Sequence, residues 1–532
     1  MSNINASTQL NKLFVSHWES WMRWDPLFAT QCGDHNYDNI LPSADENHYL
    51  TWQEQLKSFQ KQQSTIQRNE LSSSDQLNYD IFARLLELEI SELGYCSYYL
   101  PLSKIGGFHI FLPDLYLYTS FETSTDYENY IARLEAIQNY FQEYIELMRL
   151  GLSNGFLPSQ PVLDGINESI QPHIVVEPAD SSFYKPFEKF PSEIKGMEQE
   201  RLTKAARVAI LGSVVPAYKA LLKFINQEYR PAARSGISAS DLPNGDAFYL
   251  NRIVYFTTLN LTHEAVHAKG YSEVRRIRKE MESIIQKIGF LGNFQEFIEF
   301  LRKEQRFYAK TSDALLKESA YILKRIDGEL PRLFKTLPRL PYGIRPMPDF
   351  SAPGNTTAEY QPGTGDGTRA GMYYVNTYDL KSRPLYEIEA LSLHEAVPGH
   401  HLQHALQQEL DLPNFRRFGG FTAFEEGWAL YAERLGLEIG FYEDVYSDFG
   451  RLSYEMWRAC RLVVDTGIHA LGWTRQQAIE FMADNTALTM RNIVNEIDRY
   501  IAWPGQALAY KVGEIKIREL RAQAENELGK SF

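Results

Sequence analysis

The 532-residue sequence predicts a mostly α-helical protein. Most of its long segments repeat apolar residues at spacings of three and four, which is the period of an amphipathic helix. One short stretch, 372–378, is instead rich in the aromatic residues typical of a strand. Dense turn residues separate two helical parts. We therefore expect a helical N-terminal region over 1–335, a loop-rich joint over 336–371 and a C-terminal region over 372–532.

The N-terminal region contains most of the predicted helices. The clearest is 125–150, where Thr125 and Glu128 have the spacing of a capping box and Gly151 marks the end. Apolar residues between these limits recur on one face. The other helical segments of this region are 8–30, 50–70, 74–95, 195–228, 272–290, 293–308 and 312–335.

The joint and the C-terminal region differ in character. Gly363, Gly365 and Gly367 are spaced like a phosphate-binding loop, but no Gly-Lys-Ser/Thr follows them and no strand precedes them, so we expect an irregular loop. After the strand, helical periodicity returns and continues to the end of the chain. The predicted helices there are 384–397, 400–410, 422–436, 450–471, 474–484 and 505–528.

Composition limits the classes of function. Hydrophobic residues make up 44% and aromatic residues 13% of the chain, which is ample for packed cores. The net charge of −14 argues against a sequence-independent grip on nucleic acid or on an anionic membrane. Cys32, Cys96 and Cys460 are far apart and predict neither a disulfide framework nor a cysteine-based zinc site.

The N-terminus lacks the basic and apolar regions of a signal peptide, and no run of 18 apolar residues occurs. We therefore expect a cytoplasmic protein without a membrane span. A signal sequence trimmed before residue 1 would instead make the protein periplasmic or secreted. The oligomeric state is not predicted.

The strongest chemical motif is His394-Glu395-Ala-Val-Pro398-Gly399-His400, an H-E-x-x-H zinc motif with two extra residues. In a regular helix, a residue six positions further on is rotated by about 240° and displaced by about 9 Å, so two such histidines could not share one zinc ion. Pro398, however, clashes with the carbonyl group of His394, and Gly399 frees the backbone. The helix must therefore kink or bulge. If Pro398 and Gly399 loop out, His400 takes the place of the second histidine.

His401 is the alternative second ligand, because seven positions bring it back to the face of His394. A third ligand should be a carboxylate from another helix. We expect Glu426, which lies among apolar neighbours, with Glu425 as the alternative. Glu433 is on the same helical face as Glu426 and is a candidate for holding a ligand side chain in place. Glu395 is the candidate general base for a Zn²⁺-activated water.

An intact H-E-x-x-H also occurs at His263–His267. Thr262 has the character of an N-cap and Gly270 follows closely, which suggests a helix of about two turns. No helix with a suitable buried carboxylate follows within the usual distance. We therefore interpret this string as a helix start and not as a metal site.

Other residues are candidates by type and spacing. His469, Tyr500 and Tyr510 could stabilise an oxyanion. Four polar residues form one helical stripe, which is either a solvated salt-bridged face or a functional one with a clamp for a peptide carboxylate and an aspartate that orients a histidine. Its members are Arg458, Arg461, Asp465 and His469. The strand 372–378, with Tyr374 and Asn376, either binds an extended substrate as a sheet edge or merely closes the core.

Several segments together resemble the bacterial family called domain of unknown function 885, which is grouped with gluzincin-type zinc metallopeptidases. The resemblance covers nearly the whole chain. The segments are 29–38, 373–379, 393–403, 426–433, 461–469 and 503–510. It implies a large, mostly helical zincin-like metallopeptidase fold, with a small β element beside the active-site helix, and hydrolysis of peptides.

The same resemblance implies His394, His400 and Glu426 as zinc ligands and Glu395 as the base. The order Gly-His-His-Leu from Gly399 is also similar to the Gly-His-Ala-Leu of helical oligopeptidases, which favours His400 over His401. At the position of His263 the family more usually has a residue that cannot bind metal. The alternative function is a binding protein that keeps the zincin-like fold without catalysis.

Overall fold

The structure is a computed structural model that describes residues 5–349, 352–353 and 355–532. Helices account for 70% of it and strands for 4%, which confirms the mostly helical prediction. The chain forms two compact units. The first contains Met1–Gly236 with Leu412–Arg416, and the second contains Ile237–Asp411 with Arg417–Phe532.

The first unit is built from helices and one two-stranded sheet. Its helices are α1 (Ala6–Trp24), α2 (Pro26–Cys32), α3 (Glu46–Ser64), α4 (Ser73–Gly94), α5 (Phe108–Phe111), α6 (Ser124–Ser153), α7 (Gln160–Leu163), α8 (Ile166–Ile170), α9 (Met197–Ala209) and α10 (Val215–Phe224). Strands β1 (Leu102–Ser103) and β2 (Gly106–Gly107) pair antiparallel. The capping box of α6 is formed by Thr123 and Asp126, two residues before the predicted pair, so the helix begins earlier than expected.

One helical stretch of the first unit, Met197–Tyr229, is long and apolar enough to cross a membrane by length and composition. It runs through α9 and α10 with two π-helical turns, Ile210–Val214 and Ile225–Tyr229. Its most apolar window is 56% buried within the protein. A core helix and a membrane span both pass this test of length and composition.

The second unit contains the remaining strands and nearly all of the C-terminal helices. Strands are β3 (Tyr342–Pro346), β4 (Ala358–Gln361) and β5 (Gly371–Val375). Helices are α11 (Gly245–Thr257), α12 (His263–Ile288), α13 (Phe294–Lys303), α14 (Ser312–Leu333), α15 (Ile388–Glu395), α16 (His400–Glu409), α17 (Asn414–Arg417, divided between the units), α18 (Thr422–Leu435), α19 (Val445–Ala470), α20 (Arg475–Asn485), α21 (Met490–Ala502) and α22 (Ala509–Leu528).

The predicted joint does not separate the compact units. Strands β3 and β4 both lie within 336–371, and both pair with β5 to form one sheet in the order β3-β5-β4. β3 is parallel to β5 and β4 is antiparallel to it. Because these pairings join the loop-rich segment to the first strand of the C-terminal region, the expected boundary at residue 335 falls inside the second unit, and the division comes instead at Gly236.

Helix α19 is the centre of the second unit, and almost every residue from Ser447 to His469 is buried. Two glycines allow helices to approach each other closely nearby. A Cβ on Gly513 of α22 would lie 1.8 Å from the carbonyl oxygen of Ala423, and one on Gly427 of α18 would lie 2.5 Å from the carbonyl carbon of Gly513. Helix α18, which carries Glu426, is therefore held against α22 by backbone contact.

Replacing Gly513 with alanine is expected to lower the free energy of unfolding by about 1–3 kcal/mol, because the added methyl group forces the two helices apart. Chemical denaturation monitored by circular dichroism would measure this. Gly328 of α14 is the matched control, since nothing lies within 4 Å of its Cβ position. Gly328→Ala should raise stability slightly, as expected for glycine replaced within an exposed helix. Equal effects of the two substitutions would contradict the proposed contact.

Candidate metal centre

The helix carrying the extended motif is interrupted. Helix α15 ends at Glu395, α16 begins at His400, and four residues connect them. The amide of His401 donates to the carbonyl of Ala396 at 2.9 Å, and the indole of Trp428 donates to the carbonyl of Pro398 at 2.8 Å. The predicted distortion therefore takes the form of a full break between two helices, with the inserted residues fixed by hydrogen bonds.

Gly399 turns the chain back over the end of α15. A Cβ at this position would lie 1.9 Å from the carbonyl oxygen of His394 and 2.5 Å from that of Leu393. No real Cβ atom approaches backbone so closely, so only glycine permits this path. The return path brings His400 back towards His394, and the centroids of their imidazole rings are 4.9 Å apart.

His394, His400 and Glu426 form the one group of three or more potential metal-binding side chains found among the described residues. One ligand atom from each lies within 4.8 Å of the others. Oε2 of Glu426 is 3.6 Å from Nε2 of His394 and 3.4 Å from Nε2 of His400. Tetrahedral ligands at zinc bond lengths of ~2.0–2.1 Å are separated by roughly 3.3–3.4 Å. The two separations from Glu426 are close to this value, so the three side chains could hold a zinc ion.

The hydrogen bonding of the group supports the same interpretation. Oε2 of Glu426 and Nδ1 of His400 are buried without a hydrogen-bond partner. Buried polar atoms are normally paired, and an unpaired one needs an explanation. A cation bound between the three side chains would explain the unpaired oxygen of Glu426.

The charges in the group are strongly coupled. Burial opposes the charge on His394, but the carboxylates of Glu426 and Glu433 outweigh it and raise the pKa of His394 to about 9. Burial alone would raise the pKa of Glu426, yet the two imidazoles hold that pKa well below its usual range. Without a metal ion, a proton on His394 balances the carboxylates; a divalent cation would take its place.

Glu433 orients His394 from behind. Its Oε1 lies 2.8 Å from Nδ1 of His394, and both side chains are buried. This contact directs Nε2 of His394 towards Glu426, as in the carboxylate–histidine–metal arrangement. A nitrogen of the Arg458 guanidinium lies 3.6 Å from the same carboxylate oxygen, and the ring of Tyr510 stacks near His394 with centroids 6.4 Å apart.

Replacing Glu433 with glutamine is expected to lower zinc affinity by about 10–100-fold, which is typical for the loss of a group that orients a metal ligand. Competition with a zinc-binding dye would measure the affinity. Glu438→Gln is the control, because the Glu438 side chain is exposed and forms an ion pair with Arg521 at the surface. An unchanged affinity in Glu433→Gln would argue against the orienting role.

Neither of the two alternatives left open by the sequence belongs to the converging group. Both ring nitrogens of His401 are used, Nδ1 at 2.9 Å from the Tyr360 hydroxyl and Nε2 at 3.1 Å from the carbonyl of Leu340. Glu425 is close enough to His400 for the two to interact, and burial raises the pKa of its carboxyl. The geometry thus brings together His400 and Glu426, and not His401 and Glu425.

Two predicted oxyanion donors are committed to the fold. Nδ1 of His469 accepts from the amide of Ala239 at 3.0 Å, and Nε2 donates to the carbonyl of Tyr500 at 3.0 Å. The Tyr500 hydroxyl donates to Glu496 and accepts from Arg461. Both side chains are almost fully buried. Neither side chain therefore offers a donor to substrate. The sequence did not reveal this, because residue type alone does not identify hydrogen-bond partners.

Tyr510, the third predicted oxyanion donor, lies near the candidate metal centre, but its hydroxyl is bonded elsewhere. Its ring lies beside His394, but its hydroxyl accepts from Arg499 at 3.2 Å. The guanidinium of Arg461 lies 4.2 Å from the ring centroid. The phenol therefore packs behind a ligand, where it helps to fix the imidazole.

The polar stripe of α19 is not a solvated face. All four of its residues are at most 3% exposed. Arg461 bonds Glu496 at 2.8 Å, and Arg458 is neutralised by Glu433. Asp465 accepts from the Tyr249 hydroxyl at 2.6 Å and orients no histidine. Each guanidinium therefore has a carboxylate partner inside the protein.

The predicted substrate-binding strand is not a sheet edge. β5 is paired on both sides, so no peptide can add to it, and the edges are β3 and β4. The amide nitrogen of Asn376 donates to the carbonyls of Ala352 and Thr356, both at 2.8 Å, and therefore holds a turn. Tyr374 is 5% exposed. Neither side chain is placed to bind substrate.

The intact H-E-x-x-H string lies at the start of α12, as expected. The side chain of Thr262 caps the helix, and Nδ1 of His267 lies 2.7 Å from the hydroxyl of Thr466. The helix is longer than predicted, because Gly270 packs closely against Val463 of α19 instead of ending it.

Two side chains near Glu395, those of Glu359 and Tyr373, were not predicted from the sequence as site residues. β4 packs against α15, and Glu359 of β4 is close enough to Glu395 for their carboxylates to repel each other. Burial raises the pKa of Glu359, and Glu395 raises it further. The buried phenol of Tyr373 also lies near Glu395. No local pattern could reveal this, since the sheet pairing brings these residues together.

Two solved structures of other proteins are similar in fold to this chain. A candidate lipoprotein from Colwellia psychrerythraea is 28% identical, with a TM-score of 0.93 over 99% of this chain and 94% of that one. A candidate lipoprotein of unknown function from Shewanella oneidensis is 18% identical, with a TM-score of 0.69 over 99% and 95%, which shows the fold alone. A family profile described as "Bacterial protein of unknown function (DUF885)" matches residues 26–532. No protein with a curated description matches.

Proposed function

We propose that this chain, which belongs to the DUF885 family of bacterial proteins of unknown function, is a zinc-dependent peptidase that cleaves short peptides. One observation carries the proposal: the convergence of His394, His400 and Glu426 at separations that suit a tetrahedral zinc ion. A His₂Glu set is the ligand type of catalytic zinc sites, which leaves one position open. The gluzincin-type assignment and the zincin-like fold are part of this proposal.

Glu395 is the residue that would move the proton. It directly follows the ligand His394, and among the described residues it has no hydrogen-bond or ion-pair partner. When bound, a zinc ion would supply Lewis-acid activation of water and of the substrate carbonyl. Glu395 would accept a proton from the attacking water and deliver it to the leaving amine.

The rest of the site would position the substrate and the ligands. Glu433 holds His394 in one tautomer and orientation, and Tyr510 packs against the same ring. β4 has an edge that no other described strand covers, and it packs against α15. An extended peptide could add to that edge through backbone hydrogen bonds, with its scissile bond directed towards Glu395.

The location of the protein is also a proposal. The two structural relatives are described as candidate lipoproteins, which suggests a location outside the cytoplasm for those proteins. Applied to this chain, that description favours the periplasmic or secreted alternative over the cytoplasmic expectation. Peptides of the cell envelope or its surroundings would then be the accessible substrates.

Zinc-dependent cleavage of a mixed peptide library by the full-length protein, followed by mass spectrometry, would test the proposed function. We expect about one zinc ion per chain, cleavage of short peptides, loss of cleavage after chelation and recovery when zinc is restored. A protein that binds zinc without cleaving any peptide would support the alternative of an inactive binding protein. A protein that binds no zinc would overturn the proposal altogether.

A further inference from the structure

Glu359 is an acidic side chain on an edge strand of the sheet, and that strand packs against the helix that ends at Glu395. It lies in β4, opposite Tyr374 of β5, and is partly buried. Asn355 donates to its Oε2 at 3.3 Å and Gln361 donates to its Oε1 at 3.2 Å. Both donors are neutral amides. They hold the carboxylate in place and satisfy its oxygens without cancelling its charge.

No described cation neutralises this carboxylate. Ion pairs are found for neighbouring acids such as Glu433 and Glu496, but Glu359, Glu395 and Glu425 have none within the described ranges 5–349, 352–353 and 355–532. A partly buried carboxylate is usually paired. Glu359 and Glu395 add two carboxylates beside a two-histidine, one-glutamate group. The site then keeps an excess of negative charge even with a zinc ion bound, which favours a positively charged substrate.

Glu359 and the candidate base lie on elements that pack together. Glu395 must lie beside the carbonyl carbon of the bond that is cut, and β4, which carries Glu359, packs against the helix that ends at Glu395. In a peptide, an α-ammonium nitrogen is only ~2.5 Å from the carbonyl carbon of its own residue, by standard backbone dimensions. The ammonium group of a lysine side chain is several bonds further away. A carboxylate close to the base therefore suits the amino terminus of the substrate better than a basic side chain.

We infer that Glu359 binds the free α-ammonium group of the substrate, so that the enzyme removes residues from the amino end of peptides. This inference rests on the proposed peptidase function and specifies the end of the peptide from which residues are removed. It also replaces the expectation of a clamp for a peptide carboxylate, because the guanidinium groups of Arg458 and Arg461 are already paired with Glu433 and Glu496.

Matched peptides with a free or an acetylated amino terminus test the inference. The wild type should cleave the free peptide with a kcat/KM at least ~100-fold higher than the acetylated one, as expected for a charge pair in a partly desolvated site. Glu359→Gln should reduce kcat/KM for the free peptide by about 30–1,000-fold and change that for the acetylated peptide little. Glu519→Gln, at an exposed ion pair with Lys516, is the matched control and should behave as wild type.

Binding provides a second readout that does not need turnover. In a Glu395→Gln background, titration calorimetry should show that a free tripeptide binds more tightly than its acetylated form, and that adding Glu359→Gln removes the difference. Equal losses for both peptides, or losses confined to peptides with lysine or arginine, would overturn the inference. If the wild type cleaves no peptide at all, it is the proposed peptidase function that fails. Thermal melting of each variant would show whether a loss of activity or binding comes from misfolding.

Discussion

Replacing Glu395 with glutamine is expected to lower kcat/KM for peptide hydrolysis by about 10²–10⁴-fold, the contribution typical of a positioned general base. Glutamine keeps the size and the hydrogen-bonding capacity of the side chain but cannot accept the proton. Zinc content should remain at about one ion per chain, because Glu395 is not one of the three converging side chains. Steady-state kinetics and elemental analysis on the same preparation would measure both quantities.

The chain offers a close control for this variant. Glu264 has the same place in the intact H-E-x-x-H string, but its side chain is 67% exposed at the start of α12. Glu264→Gln should leave both hydrolysis and zinc content unchanged. Hydrolysis that survives in Glu395→Gln and disappears in Glu264→Gln would place the chemistry at the second motif.

Replacing His400 with alanine is expected to remove zinc from the protein and to abolish hydrolysis with it. Among the described residues, His400 would supply one of three ligand atoms. The loss of affinity should therefore exceed the roughly 10–100-fold effect of losing a group that merely orients a ligand. Equilibrium dialysis against buffered free zinc would give the affinity. Activity should not return at any zinc concentration that the wild type tolerates, since the geometry of the open position is lost with the ligand.

His401→Ala is the paired control, because it changes the adjacent histidine. Its ring is occupied by Tyr360 and Leu340, so its loss should lower the free energy of unfolding by about 1–3 kcal/mol and leave zinc content near wild type. His263→Ala should alter neither property. Zinc lost from His401→Ala but retained in His400→Ala would reverse the assignment of the second ligand.

Local chemistry was enough to predict much of the metal centre. Helical periodicity gave the mostly α-helical plan, and the missing amide of Pro398 required an irregular backbone between His394 and His400. Both effects depend on residues that are close together in the chain, so they can be predicted from the sequence alone. The same holds for Glu426, whose acidic side chain among apolar neighbours on one helix already indicated a buried role. The structure then brings the three side chains together.

The sequence did not predict which form the irregular backbone between His394 and His400 would take. A kink, a bulge and a full break all satisfy the backbone of Pro398. The break is selected by contacts from elsewhere: the indole of Trp428 bonds the inserted residues, and the close approach of Gly399 to His394 leaves no room for a continuous helix.

The sequence by itself determined the helical composition and the residues of the candidate metal group, because these depend on backbone chemistry and side-chain pattern over short spans. The tertiary structure alone decided the fate of charged and polar groups. A stripe of Arg458, Arg461 and Asp465 looks the same whether it meets water or buried partners, and its partners lie far along the chain. Glu359 likewise gains significance only when β4 pairs with β5 and packs beside Glu395. Long-range pairing sets the environment of a charge, and the environment sets what that charge can do.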